Sequence, residues 1–227
     1  MELQPIVLSP ATPSELLSYI ISYHQFPTTL IIGSSKAEFQ ASLIEDITHH
    51  LTLNEEQHQE EDTGNSNTTS PSHGLLKASL YQVAVSRHIR ILFAPTITHL
   101  RAYLSVFTPK NSSVSAPPNH KPNSCTPLLL IYGLLALHRG VSEWSAQGIG
   151  NSLALLVDAA SRNTFRAAIV EPKGICEHED LEHLGAELVP LLNGAMRKDD
   201  GSWSGRTVSI KQVLNRWFEF ESQDQSR

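Results

Sequence analysis

The sequence predicts an α/β domain built on a mostly parallel central sheet with helices on both faces. Three observations predict it. An unbroken apolar run, Leu128-Leu129-Leu130-Ile131, is too short for a membrane and fits a strand covered on both sides. A helical stripe follows, with Ile149, Leu153, Leu156 and Ala160 at steps of three and four and Val157 beside them. A second apolar run, Ala167-Ala168-Ile169-Val170, then closes on Glu171-Pro172. Strand, helix, strand is the repeating unit of an α/β sheet.

The remaining elements are read in chain order. Thr12-Pro13-Ser14-Glu15 starts a helix, because Thr12 can cap, Pro13 suits the first helical position and Glu15 completes a capping box. Leu16, Leu17, Ile20 and Ile21 form its apolar face, and Pro27 ends it. Thr29 to Ile32 is β-branched and apolar, hence a buried strand. Gly33-Ser34-Ser35-Lys36 turns the chain into a second helix with the stripe Phe39, Leu43, Ile47, Leu51 and with Ile44 adjoining. Asn54 to His73 loses its apolar content and reads as a disordered acidic insert. Leu75 to Val85 and Ile89 to Pro95 are strand candidates, and Thr96 to Phe107 is a short helix. A second insert, residues 109–126, is rich in Pro, Ser and Asn and reads as flexible. After the organising stretch come a helix over Asp180–Asn193 and two antiparallel strand candidates, Thr207–Leu214 and Trp217–Glu221. Strands on both sides of the inserts are needed to complete one sheet, so residues 1–227 are read as a single domain.

Composition narrows the function. The net charge of −6 provides no global positive field for nucleic acid, so any such surface must be local or belong to a partner. Cys125 and Cys176 do not make a disulfide framework, which suits a reducing compartment. No basic region followed by a long apolar core opens the chain, and no stretch has transmembrane length. A soluble intracellular protein is the expectation.

The stretch from Pro127 to Pro172, with its apolar strand ending Ile131-Tyr132-Gly133-Leu134, resembles the Walker B half of the RecA-type recombinase core. More narrowly it resembles the small divergent recombinase paralogues that partner SWIM-domain proteins in Shu-type complexes. In that family the strand ends Asp-Gly-Leu, and Tyr132 stands where the magnesium-directing Asp is usual. The resemblance implies a RecA-like P-loop NTPase core with degenerate Walker motifs. It further implies a hetero-oligomer with a SWIM-domain protein or other recombinase paralogues, DNA reached through the complex, no membrane, and the nucleus as site of action. A RecA-like accessory subunit of the Elongator complex in tRNA modification is the alternative the same fold allows.

The nucleotide determinants are degraded. A P-loop reads G-x-x-x-x-G-K-[ST], its glycines letting backbone amides wrap phosphates while Lys neutralises charge. Gly33 and Lys36 follow a strand and open a helix, but only Ser34 and Ser35 lie between them, and Ala37 replaces the hydroxyl residue. Ser35-x-x-Glu38 can also form a capping box, which sets a carboxylate against the donors a phosphate needs. Beside the resemblance, Gly33–Lys36 reads as a vestigial P-loop; without it, as an ordinary strand-to-helix turn. Tyr132 is a poor ligand for a hard cation. Neither catalytic residues nor a bound cofactor are therefore expected. Glu143 reads as an acid in a first helical turn, favoured by the dipole.

Other constellations are weaker. Cys176, His178 and His183 lack a fourth ligand at a zinc spacing, and no metal is expected. His49-His50 reads as lying near a helix end. No G-x-S-x-G occurs, and Gly148 and Gly150 read as sites of close packing or an irregular first turn. The recombinase resemblance places DNA-facing loops after the strands near Tyr132 and Val170, where Arg139 and Lys173 fall. The C-terminal GRTVSIKQVLNRWFEFE either closes the sheet or faces a partner, with Trp217 and Phe220 as candidate anchors.

Overall fold

The computed structural model describes residues 3–22, 26–61, 73–77, 79–111, 114–118, 126–174, 181–193, 198, 201, 203 and 205–220. Strand β1 (Ile6–Val7) opens the chain and leads to helix α1 (Pro13–Ser22). Strand β2 (Thr28–Ile32), helix α2 (Lys36–Glu61) and a 3-10 turn at Gly74–Lys77 follow. Next come α3 (Leu80–Ser86), β3 (Ile89–Phe93), α4 (Ile97–Ser105) and a 3-10 turn at Pro109–Asn111. The central unit is β4 (Leu128–Tyr132), α5 (Leu134–His138), α6 (Ala146–Arg162) and β5 (Arg166–Val170). The chain ends in α7 (Leu181–Ala186), β6 (Leu188–Pro190), β7 (Thr207–Ser209), α8 (Ile210–Leu214) and β8 (Glu219–Phe220).

Six strands form one sheet in the order β3-β2-β4-β5-β1-β8, and every pairing in it is parallel. Alternate residues of each strand face opposite sides, so the central strands feed two separate cores. Ile31, Leu129, Ile131, Ala167 and Ile169 point to one side, against Leu100 and Leu104 of α4, Ile149, Leu153 and Leu156 of α6, and Ile210 and Leu214 of α8. Leu30, Ile32, Leu130, Tyr132, Ala168 and Val170 point to the other, against Leu16 and Ile20 of α1 and Phe39 of α2. Double-sided burial is why these strands are continuous apolar runs rather than alternating ones.

The path explains which helix covers which face. From β1 the chain moves in one direction across the sheet, to β2 and then β3; from β3 it reverses, through β4 and β5 to β8. Crossovers of one hand place helices on opposite faces when the direction of travel reverses. Accordingly α1 and α2 pack on one side while α4, α6 and α8 pack on the other.

Several local expectations change. Leu75–Val85 is not a strand: Ser79 and Gln82 form a reciprocal capping box, each amide donating to the other's side chain at 3.3 Å, and start α3. The helix expected over Asp180–Asn193 stops at Ala186 and gives way to β6, which pairs antiparallel with β7. Within Thr207–Leu214 only Thr207–Ser209 is strand, because Ser209 caps Gln212 N and turns Ile210–Leu214 into α8. Over Trp217–Glu221 the strand is Glu219–Phe220, and it runs parallel to β1 rather than antiparallel. The polar insert begins later than expected, since α2 continues through Asn54 to Glu61; His49 and His50 therefore sit mid-helix, and residues 62–72 lie outside the described residues. Ile44 is 67% exposed, while Asp46 takes a buried place on α2 facing α1. Strand β1 and helix α5 carry no periodic signal and were not expected.

Helix α6 is the hub of the larger core, with Ile149, Leu153 and Leu156 all fully buried. Leu153→Ala is expected to cost about 2–5 kcal/mol by lost burial and the cavity left behind. Urea denaturation should show a lower midpoint with an unchanged slope.

Candidate functional site at the carboxyl edge of the sheet

In open parallel sheets, ligands bind beyond the carboxyl ends of strands where neighbouring strands feed helices on opposite faces. This sheet has two such places. One lies between β2, which leads to α2, and β4, which leads to α5 and α6; the other lies between β1, which leads to α1, and β5, which leads to α7. Gly33–Lys36 and Tyr132 both fall at the first.

Backbone bridges the floor of the first crevice. Gly33 N donates to Tyr132 O at 2.8 Å, and beside it Gly133 N donates to Val170 O at 2.8 Å, extending the β4/β5 ladder. A Cβ on Gly33 would lie 2.6 Å from the Gly133 carbonyl oxygen, so only glycine fits this approach. Gly133 itself has φ of +83°, a left-handed turn that starts α5 directly after the strand. The second crevice is bridged too. Ala11 N donates to Glu171 O at 3.0 Å and Lys173 N donates to Ala11 O at 3.3 Å, extending the β1/β5 ladder past the strand ends. Tyr132 lies across both, its hydroxyl donating to Ala11 O at 2.9 Å. Burial, aided by the carboxylates of Glu171, Asp46 and Glu15, raises the Tyr132 phenol far above its ordinary range, so it stays a neutral donor.

Helix starts at this edge present unpaired amides, the groups that hold phosphates in nucleotide-binding folds. Here the chain's own carboxylates take them. Ser35 N donates to Glu38 at 2.8 Å while Glu38 N donates to Ser35 Oγ at 3.2 Å, as the capping-box reading expected. The Ser35 amide and hydroxyl hold the Glu38 carboxyl below its usual range. At α1, Thr12 N donates to Glu15 at 2.9 Å and Ser14 N to Asp46 at 2.8 Å. At α5, the buried Glu171 carboxylate receives Leu135 N at 2.8 Å and Ala136 N at 3.1 Å. Between them remains a cleft of about 200 Å³ bordered by Gly33, Ser34, Glu38, Phe39, Tyr132 and Lys173. Lys36 is exposed on the first turn of α2 and does not border the cleft.

The candidate DNA-facing cations are engaged within the chain. Lys173 Nζ lies 2.9 Å from Glu15, and Arg139 pairs with Glu187 at 2.5 Å while its guanidinium sits 5.2 Å from the Trp144 ring. Glu143 is not in a helical turn: Ser145 caps α6, and Glu143, two residues earlier, pairs with Arg101 at 2.7 Å and accepts from Asn193 at 3.1 Å. Gly148 is needed for close packing, since a Cβ there would sit 2.2 Å from the Glu143 carbonyl oxygen; Gly150 has no such neighbour.

Arg101 also reaches a pair invisible in the sequence. His138 Nε2 lies 3.0 Å from Ser152 Oγ, and Arg101 Nε donates to the same oxygen at 2.9 Å. His138 Nδ1 faces the Leu134 carbonyl at 2.7 Å, which places the proton on Nδ1 and leaves Nε2 as acceptor. Burial holds the imidazole below its usual range, hence neutral. The spacing is that of a nucleophile and base, but both side chains are fully buried, and the trio ties α4, α5 and α6 together.

Trp217 is 36% exposed and borders a shallow cleft with Leu191 and Leu192, whereas Phe220 packs partly buried against the larger core with Lys211 Nζ 5.9 Å from its ring. Cys125, Cys176 and His178 lie outside the described residues, and among those described no three metal-ligating side chains are placed to hold an ion. No described helix is long and apolar enough to cross a membrane. No protein-family model matches this chain, and no curated protein matches it.

Sequence reading anticipated the Ser35–Glu38 box but missed Glu171 and Asp46. An acid directly after an apolar strand was a signal for Glu171; its acceptor role was not, because the amides it serves lie 36 and 35 positions away. Burial raises the Glu171 carboxyl from an ordinary 4.5 to about 7, against the pull of the Leu135 and Ala136 amides. A raised acid binds its proton more tightly in the folded state, so its contribution is full below pH 4.5 and declines as pH rises through about 7. That interval corresponds to about 3 kcal/mol. Unfolding measured between pH 5 and 8 should therefore show wild type losing more stability with rising pH than Glu171→Gln, which cannot ionise; equal slopes would refute this role.

Proposed function

We propose that this chain is a noncatalytic, RecA-like subunit of a Shu-type complex that assists recombinase filament assembly in homologous recombination. The observation that carries the noncatalytic part is the occupation of the helix starts at the carboxyl edge. A bound triphosphate needs free amides and counter-cations there. In this chain Glu15, Asp46, Glu38 and Glu171 take those amides, and Gly33 closes against the Gly133 carbonyl. Opening such a seat would set a phosphate beside carboxylates, which repel it. The parallel sheet supports a RecA-like core; the Shu-type assignment rests on the resemblance of Pro127–Pro172.

The mechanism is then binding. A rigid two-sided core presents its edges to a SWIM-domain protein or recombinase paralogue, which carries the zinc, and DNA is reached through the complex in the nucleus. Trp217 and its apolar neighbours Leu191 and Leu192 supply a partly exposed anchor for such a partner.

Calorimetric titration with Mg-ATP is expected to show no binding. Magnesium-dependent turnover that disappears in Lys36→Ala would overturn the noncatalytic reading. Affinity purification of the tagged chain from its native cells, with and without DNA damage, is expected to recover a SWIM-domain protein or recombinase paralogues. Recovery of Elongator subunits instead would move the protein to tRNA modification.

A further inference from the structure

We propose that the amino edge of the sheet, around Arg87, Arg90 and Lys110, is a contact surface for single-stranded nucleic acid. This deepens the reading above and rests on it only for the ligand class. Partner recovery and the ATP titration test that reading separately, so the two can fail independently.

The first observation is charge segregation. Between Asp62 and Glu143 the sequence contains no Asp or Glu, while it contains seven Lys or Arg. The net charge of −6 hides this, because the acids lie before and after that stretch. Two of its cations turn to carboxylates elsewhere: Arg101 to Glu143 and Arg139 to Glu187. Among the described residues Arg87, Arg90 and Lys110 make no ion pair, and Arg90 lies 5.5 Å from the Tyr103 ring.

The second observation is geometric and independent. At the amino ends of β2 and β3, a pocket of about 290 Å³ is bordered by Phe26, Pro27, His88, Arg90, Lys110 and Phe165. Its walls are largely apolar, with the buried Phe165 as floor and the partly exposed Phe26 and His88 as the aromatic groups within reach of a base, and its charged rim is entirely cationic. Cations that track a backbone beside aromatic faces on which bases stack are the two parts of a single-strand site.

A polyanion is favoured over an acidic peptide for a physical reason. One carboxylate needs one cation and tolerates acids nearby. A phosphate chain carries charge at every step and is repelled by any acid along its track, and the residues that border this pocket include no Asp or Glu. The contact is thereby moved from Arg139 and Lys173, which are already paired, to the opposite edge of the sheet.

The test is fluorescence anisotropy of a labelled oligothymidine with the full chain, from low salt upward. Arg87→Ala with Lys110→Ala should weaken binding and reduce the slope of log K against log salt by about 1.4, that is, about 0.7 for each of two phosphates. Arg87→Lys with Lys110→Arg should keep the slope, and Arg139→Ala with Lys173→Ala should change neither affinity nor slope. Circular dichroism confirms that the variants fold. The proposal is overturned by no binding at low salt, by an unchanged slope in the amino-edge alanine variant, or by polyglutamate competing as well as unlabelled oligothymidine. That last outcome would make the surface a docking face for an acidic protein segment.

Discussion

Backbone amides that emerge at the carboxyl edge of a parallel sheet must find acceptors, and in this chain the acceptors are its own carboxylates. Glu171 makes the clearest case. It follows β5 directly, lies buried, and reaches across to the first turn of α5. Two amides pull it toward ionisation while burial opposes ionisation more strongly. The Leu135 amide is buried, and without Glu171 it would be an unsatisfied donor in the interior. The consequence is structural and chemical at once: the helix start is fixed against the sheet, and an incoming anion finds its donors taken.

The same edge is bridged at the level of backbone. Gly33 meets the Gly133 carbonyl at one crevice, and Ala11 bridges to Pro172 at the other, with the Tyr132 hydroxyl on Ala11 joining them. A sheet that reverses direction must create such crevices, so the topology supplies a place for a ligand. Local chemistry then decides whether the place is open. Tyr132 is informative here because its ring packs edge-on against Phe39, 6.0 Å between centroids, so it belongs to the apolar core beneath the edge.

Away from that edge, polar groups serve to tie helices. Arg101 joins Glu143, Gly148 and Ser152 at 2.7 to 2.9 Å, and Ser152 joins His138. The Arg101 contacts connect segments more than forty residues apart, and each buried group in the trio has a partner. A His beside a Ser carries catalytic meaning only with access. Here both side chains are fully buried, and a guanidinium donates to the hydroxyl oxygen.

The central unit was legible from residues alone. Leu128–Ile131, the Ile149–Ala160 stripe and Ala167–Val170 became β4, α6 and β5, because double-sided burial demands long apolar runs and a covering helix demands a 3.6 period. The helix starts at Thr12, Ser35 and Thr96 were legible because a cap is a contact within a few residues. Two-residue β1 was not, since a strand that short leaves no period and exists only because β5 offers an edge to pair with; for β8 the strand was legible within Trp217–Glu221, but its parallel pairing with β1 was not. The segments of α3 and α8 are apolar and partly β-branched, and serine caps overrode that propensity, leaving only Thr207–Ser209 as strand. By itself the sequence determined the α/β class, the helix caps at Thr12 and Ser35 and the absence of a P-loop spacing after β2, all properties of neighbouring residues. Tertiary structure alone decided the strand order, the bridging of both crevices, the capture of α5 by Glu171 and the burial of Asp46 and His138. Each of these joins positions that the chain keeps apart and that only packing brings into contact.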